Sequence, residues 1–388
     1  MSRLSSWSPI FSAKGDSVTK STGTLNEDPH AARIDEEVPL DQKIGQMLIA
    51  GFRGVDIAST GQFKEHIRSC HLGGIILYDR DVMTGSDKRN VESPAQVKKL
   101  VSDLQHEARS PLLVTIDQEG GMVDRLSAQR GFASSVSASY LGKCDDVSNT
   151  REHSCIIADT LSNIGVNLNL APVVDLNINR LNPIIGQRER SFSPDPEKVI
   201  IHASAFVEGH RQKGVLCCLK HFPGHGSSTT DSHLGFTDVS ETWSEIELLP
   251  FQHLIQNGLA DTVMISHVFL DRLDSQFPAT LSAPIIKDTL RGQLKFDGVV
   301  ISDDLQMGAI TQHYGFETAL RKAINAGTDL ITLGNNQTFE EDLIPRAFEA
   351  VKMMVQNGDI PAERIDASYA RIIRLKALIN SMSGHRRP

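Results

Sequence analysis

From about residue 40 onward the chain alternates short apolar runs with segments whose apolar positions recur every three or four residues. The runs QMLIAGF (46–52), GGIILY (73–78), PLLVTID (111–117) and VNLNLAP (166–172) predict four strands. GVLCCLKHF (214–222), DTVMISH (261–267), DGVVISDD (297–304) and TDLITLG (328–334) predict four more. Helical patterns lie between them at 93–108, 196–212, 283–294 and 317–326, and Gly214 and Gly327 stand where a helix C-terminus stops. Nearly continuous apolar strands separated by helices belong to a parallel sheet with both faces covered. The pattern predicts an α/β fold, a single-domain (β/α)8 TIM barrel, with a doubly wound open sheet as the alternative because strand number does not show closure. Two further helical patterns, 343–356 and 367–380, are expected to cover the outside as extra C-terminal helices.

Composition narrows the class. A chain of 388 residues with 40% hydrophobic and 22% charged residues has ordinary globular make-up. Its net charge of -9 and scattered Lys and Arg provide no positive field for a phosphate backbone, so no nucleic-acid partner is expected. Cys70, Cys144, Cys155, Cys217 and Cys218 form an odd set without CxxC, which suits reduced thiols better than disulfides or zinc. No apolar stretch approaches the roughly 20 residues of a membrane span, and no secretory h-region opens the chain. A cytoplasmic protein with no membrane partner is the expectation. Residues 1–36, rich in Ser, Thr and charge, read as a poorly ordered polar tail ahead of a catalytic domain at 37–388. The tail's acid-poor opening also fits an organellar targeting peptide. The pattern does not fix the oligomeric state, and a monomer is compatible with it.

The chemistry gathers where the apolar runs end. Asp117, Lys220 with His221, His267, and Asp303 with Asp304 all occupy such positions, which in a barrel meet at the C-terminal mouth. Unpaired buried charge is costly, so this repetition favours function over structure. The stretch KHFPGHGSSTTDSH (220–233) holds three histidines whose spacing permits a metal without demanding one. Pro223, Gly224 and Gly226 break it, so His221 and His225 do not share a helix face. Neither a phosphate loop nor a GxSxG elbow occurs. A carboxylate nucleophile on one strand and a proton donor on a polar loop remain. Asp231, two residues before His233, is near enough to fix its tautomer; the alternative is that DSH caps a turn.

KHFPGHGSSTTDSH resembles the signature loop of the glycoside hydrolase family 3 β-N-acetylglucosaminidases, of the single-domain type that acts in bacterial peptidoglycan recycling. IDQEGGMVDRL (116–126), NPIIGQRERSF (182–192) and FDGVVISDDLQMGAI (296–310) resemble its other motifs, in the same order, and the likeness runs from about residue 38 to the C-terminus. The resemblance implies Asp303 as nucleophile, His233 as general acid/base and Asp231 as its partner. It also implies that Asp117, Arg125, Arg190, Lys220 and His221 bind an N-acetylglucosamine unit. Where the family reads IGERSF or IGxRSF, this chain reads IGQRERSF, with two extra residues and Arg188 as the competing choice. Strand alternation lets one of Asp303 and Asp304 face the substrate, and the family pattern selects Asp303.

The activity implied by the resemblance is that of a retaining β-N-acetylglucosaminidase acting on a small carbohydrate, an N-acetylglucosaminyl muropeptide, with no metal and no cofactor. A phosphorylase on the same site is a rival, since a histidine acid does not repel an anionic acceptor as a carboxylate would. A β-glucosidase or β-xylosidase is less favoured, because such family members commonly carry a second domain. The reading from another class is a catalytically silent sugar-binding barrel.

Overall fold

The computed structural model describes residues 38–231 and 235–384. His233 and the 1–36 tail therefore lie outside the described residues. The chain divides into Met1–Val38 and Pro39–Pro388, and the elements below belong to the second unit.

Eight parallel strands form one sheet, in chain order β1 (Leu48–Gly51), β2 (Gly74–Leu77), β3 (Leu113–Ile116), β4 (Leu168–Asn169), β5 (Leu216–Phe222), β6 (Thr262–Ile265), β7 (Val299–Ser302) and β8 (Ile331–Leu333). Each strand pairs with its predecessor from β2 to β7, and β1 also pairs with β8, Leu48 opposite Ile331. A single parallel bridge, Ile301 to Leu330, joins β7 to the approach of β8 and completes the ring. The sheet is a barrel, which decides against the open-sheet alternative. All eight expected strands are present, each shorter than its apolar run; β5 alone carries its candidate site residues, Lys220 and His221, within the strand.

Helices surround the barrel: α1 (Leu40–Gln46), α2 (Phe63–Ser69), α3 (Pro94–Glu107), α4 (Val147–Asn163), α5 (Pro196–Gln212), α6 (Leu249–Gln256), α7 (Pro284–Gln293), α8 (Phe316–Ala326), α9 (Leu343–Gln356) and α10 (Ala362–Gly384). Local chemistry sets their starts. Ser93 accepts the Gln96 N–H while Gln96 reaches back to the Ser93 N–H, a reciprocal cap in front of Pro94. Asp146 and Asp195 cap α4 and α5 through a single carboxylate oxygen. Gly214 and Gly327 take φ of 68° and 124°, the left-handed side on which a helix ends without strain. The inward faces of the helices and the strands form one large buried apolar cluster. Cys70, Cys217 and Cys218 are buried free thiols within it, and Cys144 is an exposed one. Among the described residues no helix is long and apolar enough to cross a membrane.

Candidate active site

The C-terminal ends of the strands open into a cavity of about 640 Å³. Its floor is an alternating chain of buried charges. Lys220 Nζ, on β5, lies 2.7 Å from Asp117 Oδ1 and 2.7 Å from Glu119 Oε1. Arg190 donates to both oxygens of Glu119, Nε at 2.8 Å and Nη2 at 2.7 Å. Its Nη2 is also 3.2 Å from His221 Nε2, and His221 Nδ1 is 2.7 Å from Asp175 Oδ2. Burial opposes the charge on Glu119, but Arg190 and Lys220 outweigh it and hold the carboxyl well below its usual range. Burial likewise opposes the Lys220 ammonium, and Asp117 with Glu119 reverses that and raises it. The outcome is a fixed array of donors and acceptors, suited to the hydroxyls of a sugar.

Successive strand residues ordinarily face opposite ways, yet Lys220 and His221 both line the cavity. The β5–β6 register shifts between Leu219 and Phe222, and such an irregularity re-aims side chains. Arg125 reaches the same cavity and lies 3.4 Å from Asp79. The structure thus brings together all five residues expected to hold the sugar: Asp117, Arg125, Arg190, Lys220 and His221. Glu119, Asp175 and Asp79 were not anticipated. Glu119 was open to detection, because it stands two positions after Asp117 and shares its face.

Asp303 and Asp304 both line the cavity as well, contrary to the alternation argument, because β7 ends at Ser302. Their situations differ. Asp304 is buried, and its Oδ1 accepts the Gly334 N–H at 3.0 Å and the Gln306 N–H at 3.1 Å, which ties the end of β7 to the end of β8. Asp303 is half-buried, and its Oδ1 accepts the Asp304 N–H at 2.8 Å. His267 turns away from the cavity: its ring is 2.7 Å from Thr280 Oγ1 and 2.9 Å from the Asp304 carbonyl, so it braces the scaffold.

The segment after β5 folds back under the cavity. Asp175 accepts the His225 N–H at 2.8 Å, the His225 ring is 2.8 Å from Ser228 Oγ, and Asn182 donates to the His225 carbonyl at 2.8 Å. Burial, then the neighbouring His221, pushes His225 down to about 4, so it is a neutral ring that holds the turn. A Cβ on Gly226 would run into the Leu176 carbonyl oxygen, which requires glycine there. From this anchored turn the chain runs to Asp231, whose side chain lines the cavity. Further along the chain, Thr237–Asp238 pairs with Val268–Phe269. Among the described residues no group of His, Cys, Asp and Glu is arranged to hold a metal ion.

The model of the glycosyl hydrolase family 3 N-terminal domain matches residues 39–375. A β-hexosaminidase of Tolumonas auensis is 37% identical over 279 residues, 71% of this chain and 79% of that protein. A β-hexosaminidase of Hydrogenovibrio crunogenus is 32% identical over 349 residues, 87% of this chain and 89% of that protein. The structure of a family 3 β-N-acetylglucosaminidase from Paenibacillus superposes with a TM-score of 0.81 at 37% identity, over 88% of this chain and 63% of that longer one. A β-N-acetylhexosaminidase from Beutenbergia cavernae superposes with a TM-score of 0.76 at 30% identity, over 88% of this chain and 99% of the other. With a barrel of this topology, a charged floor at its mouth and a family match along nearly the whole domain, the chain belongs to glycosyl hydrolase family 3.

Proposed function

We propose that the chain is a retaining β-N-acetylglucosaminidase, removing terminal N-acetylglucosamine through a covalent glycosyl-aspartate. Its relatives are named β-hexosaminidases and, for the Beutenbergia cavernae structure, a β-N-acetylhexosaminidase. The observation that carries the reading is the sharing of one cavity by Asp303, Asp231 and the Lys220–Asp117–Glu119–Arg190 floor. Asp303 attacks the anomeric carbon as the leaving oxygen takes a proton from His233. Water, giving its proton to the same histidine, then attacks the anomeric carbon and frees Asp303, and two inversions leave the configuration retained. Asp231 orients the histidine, while Asp117, Arg125, Arg190, Lys220 and His221 hold the sugar. A muropeptide substrate and a cytoplasmic setting are the finer part of this reading. The support for the muropeptide is the likeness of the four motifs to those of the peptidoglycan-recycling type.

A 2-fluoro sugar with a good leaving group is expected to label Asp303, and Asp303→Ala to lose nearly all turnover. His233→Ala is expected to slow unactivated glycosides by about 10² to 10⁴ and activated aryl glycosides far less. Labelling elsewhere, or product of inverted configuration, removes the nucleophile assignment; an equal loss on both glycosides removes the acid.

A further inference from the structure

The turn that follows β5 is held between two stretches of chain. Asp175, Asn179 and Asn182, which come after β4, take one part of it: Asp175 accepts the His225 N–H, Asn182 donates to the His225 carbonyl and Asn179 to the Ser228 carbonyl at 2.8 Å. The approach to α6 takes the rest. Trp243 Nε1 donates to the Pro223 carbonyl at 3.0 Å, and Glu247 Oε2 accepts the Gly226 N–H at 3.2 Å. Glu247 is buried, and a Cβ on Gly224, where φ is 126°, would run into the Glu247 Cβ, so its side chain and the turn are in close contact.

Two successive N–H groups of the turn, those of His225 and Gly226, thus go to different carboxyl groups, and the two differ in charge. Burial opposes the charge on Asp175, but His221 outweighs it and holds that carboxyl below its usual range. Burial raises the Glu247 carboxyl against the pull of Ser227, and the Asp175 charge adds to the rise. Glu247 Oε1 and Ser227 Oγ are each buried without a hydrogen bond at normal geometry, and a proton on the carboxyl gives this pair a bond to share. In that form one side chain accepts from Gly226 and donates toward Ser227.

Glu247 is not part of the described cavity lining, but Asp231, four positions after Ser227, is. The chain between them is tied at each step: the Asn182 amide donates to Ser228 Oγ at 3.0 Å, and Thr230 Oγ1 donates to Thr237 Oγ1 at 3.1 Å. A displacement at Gly226 and Ser227 is therefore passed along to Asp231, whereas the floor is held by its own ion pairs among Lys220, Asp117, Glu119 and Arg190. We infer that Glu247 is a positioning residue for the acid/base half of the site: by clamping the His225–Ser228 turn it sets where Asp231 stands in the cavity. The inference rests on the glycosidase reading, in which Asp231 orients the proton donor, and adds to it a residue that touches neither the sugar nor the leaving group.

The purified full chain and its variants are assayed for kcat/KM on methyl β-N-acetylglucosaminide, whose leaving group needs a proton, and on the dinitrophenyl glycoside, whose leaving group does not; melting curves identify the variants that fold. Glu247→Ala is expected to lose about 10- to 100-fold on the methyl glycoside, the scale of a misplaced catalytic group, and far less on the dinitrophenyl glycoside. Glu247→Gln, which offers Gly226 an oxygen and Ser227 an N–H, is expected to restore most of that loss. Glu247→Asp, one methylene short of the turn, is expected to share the selective loss and decides the matter if the alanine variant does not fold. An equal loss on both glycosides in the folded variants makes Glu247 part of the framework only, and no loss on either makes its contact with the turn idle; each result overturns the inference and leaves the glycosidase standing. A folded glutamine variant as impaired as the alanine or aspartate one overturns it too. Wild type that cleaves neither compound overturns the glycosidase reading and the inference with it.

Discussion

Glu119 keeps its charge in a fully buried site because two cations face it, and its removal would leave both under-compensated. Arg190 would lose both of its carboxylate bonds, and Lys220 would retain Asp117 alone. Breaking a buried ion pair from one side costs about 3–5 kcal/mol, whereas an exposed pair is worth under about 1. Glu119→Gln preserves the shape and removes the charge. It is therefore expected to lower the urea midpoint by the equivalent of about 3 kcal/mol and to raise KM as the Arg190 guanidinium loses its fixed orientation. An unchanged midpoint would show that the floor is held by packing rather than by its charges. The individual site residues were legible only in part. Asp117, Lys220 and Asp303 announce themselves as polar residues ending apolar runs, but Glu119 and Asp175 take their meaning from partners 101 and 46 positions away in the chain, Lys220 and His221. No local pattern encodes that pairing. His267 shows the reverse: it ends a run in the same way, yet it serves Thr280 and the Asp304 backbone.

At the scale of elements, periodicity was a good guide to helices and strands because each buries one continuous apolar face. Helix α5 spans the expected residues 196–212, and α9 spans 343–356. Strands came out shorter than their runs, which is why alternation misjudged Asp303 and Asp304. The turn after β5 was legible as a break but not as a support structure. There Glu247, buried beneath the turn, accepts the Gly226 N–H at 3.2 Å, and burial pushes its carboxyl up to about 7 from the usual 4.5. Between those two pH values the folded chain holds a proton that the unfolded chain releases. Its contribution to stability therefore falls as pH rises from 4.5 to 7, by about 3 kcal/mol at most. Glu247→Gln removes that slope, so the variant should gain on the wild type across this window in urea unfolding. Parallel stability curves would mean that the carboxyl titrates as an ordinary exposed one.

The whole barrel is closed at the face opposite the cavity, where the two ends of the domain meet. Helix α10 returns to α1, and Lys376 Nζ bonds Gln46 Oε1 at 2.5 Å, while the Gln46 amide donates to the His71 carbonyl at 2.8 Å. Lys376 is buried, and burial pushes its ammonium down to about 7 from 10.5. Between those values the unfolded chain holds a proton that the folded one lacks, so stability rises with pH through this window. At pH 7 and below, confining the ammonium costs on the order of 4 kcal/mol, and a methionine avoids that cost. The same substitution orphans Gln46 Oε1, at about 1–3 kcal/mol. Lys376→Met should therefore be more stable than the wild type by about 2 kcal/mol below pH 7, the difference of those two effects. Toward pH 10.5 the neutral amine still bonds Gln46 without a burial cost, so the wild type should become the more stable protein. Melting curves recorded across that range should cross. Failure to cross, with the variant weaker throughout, would make the Lys376–Gln46 bond the dominant clasp between the domain's two ends. Activity measured in the same series should not follow the crossing, because this face of the barrel carries stability while the chemistry sits at the other.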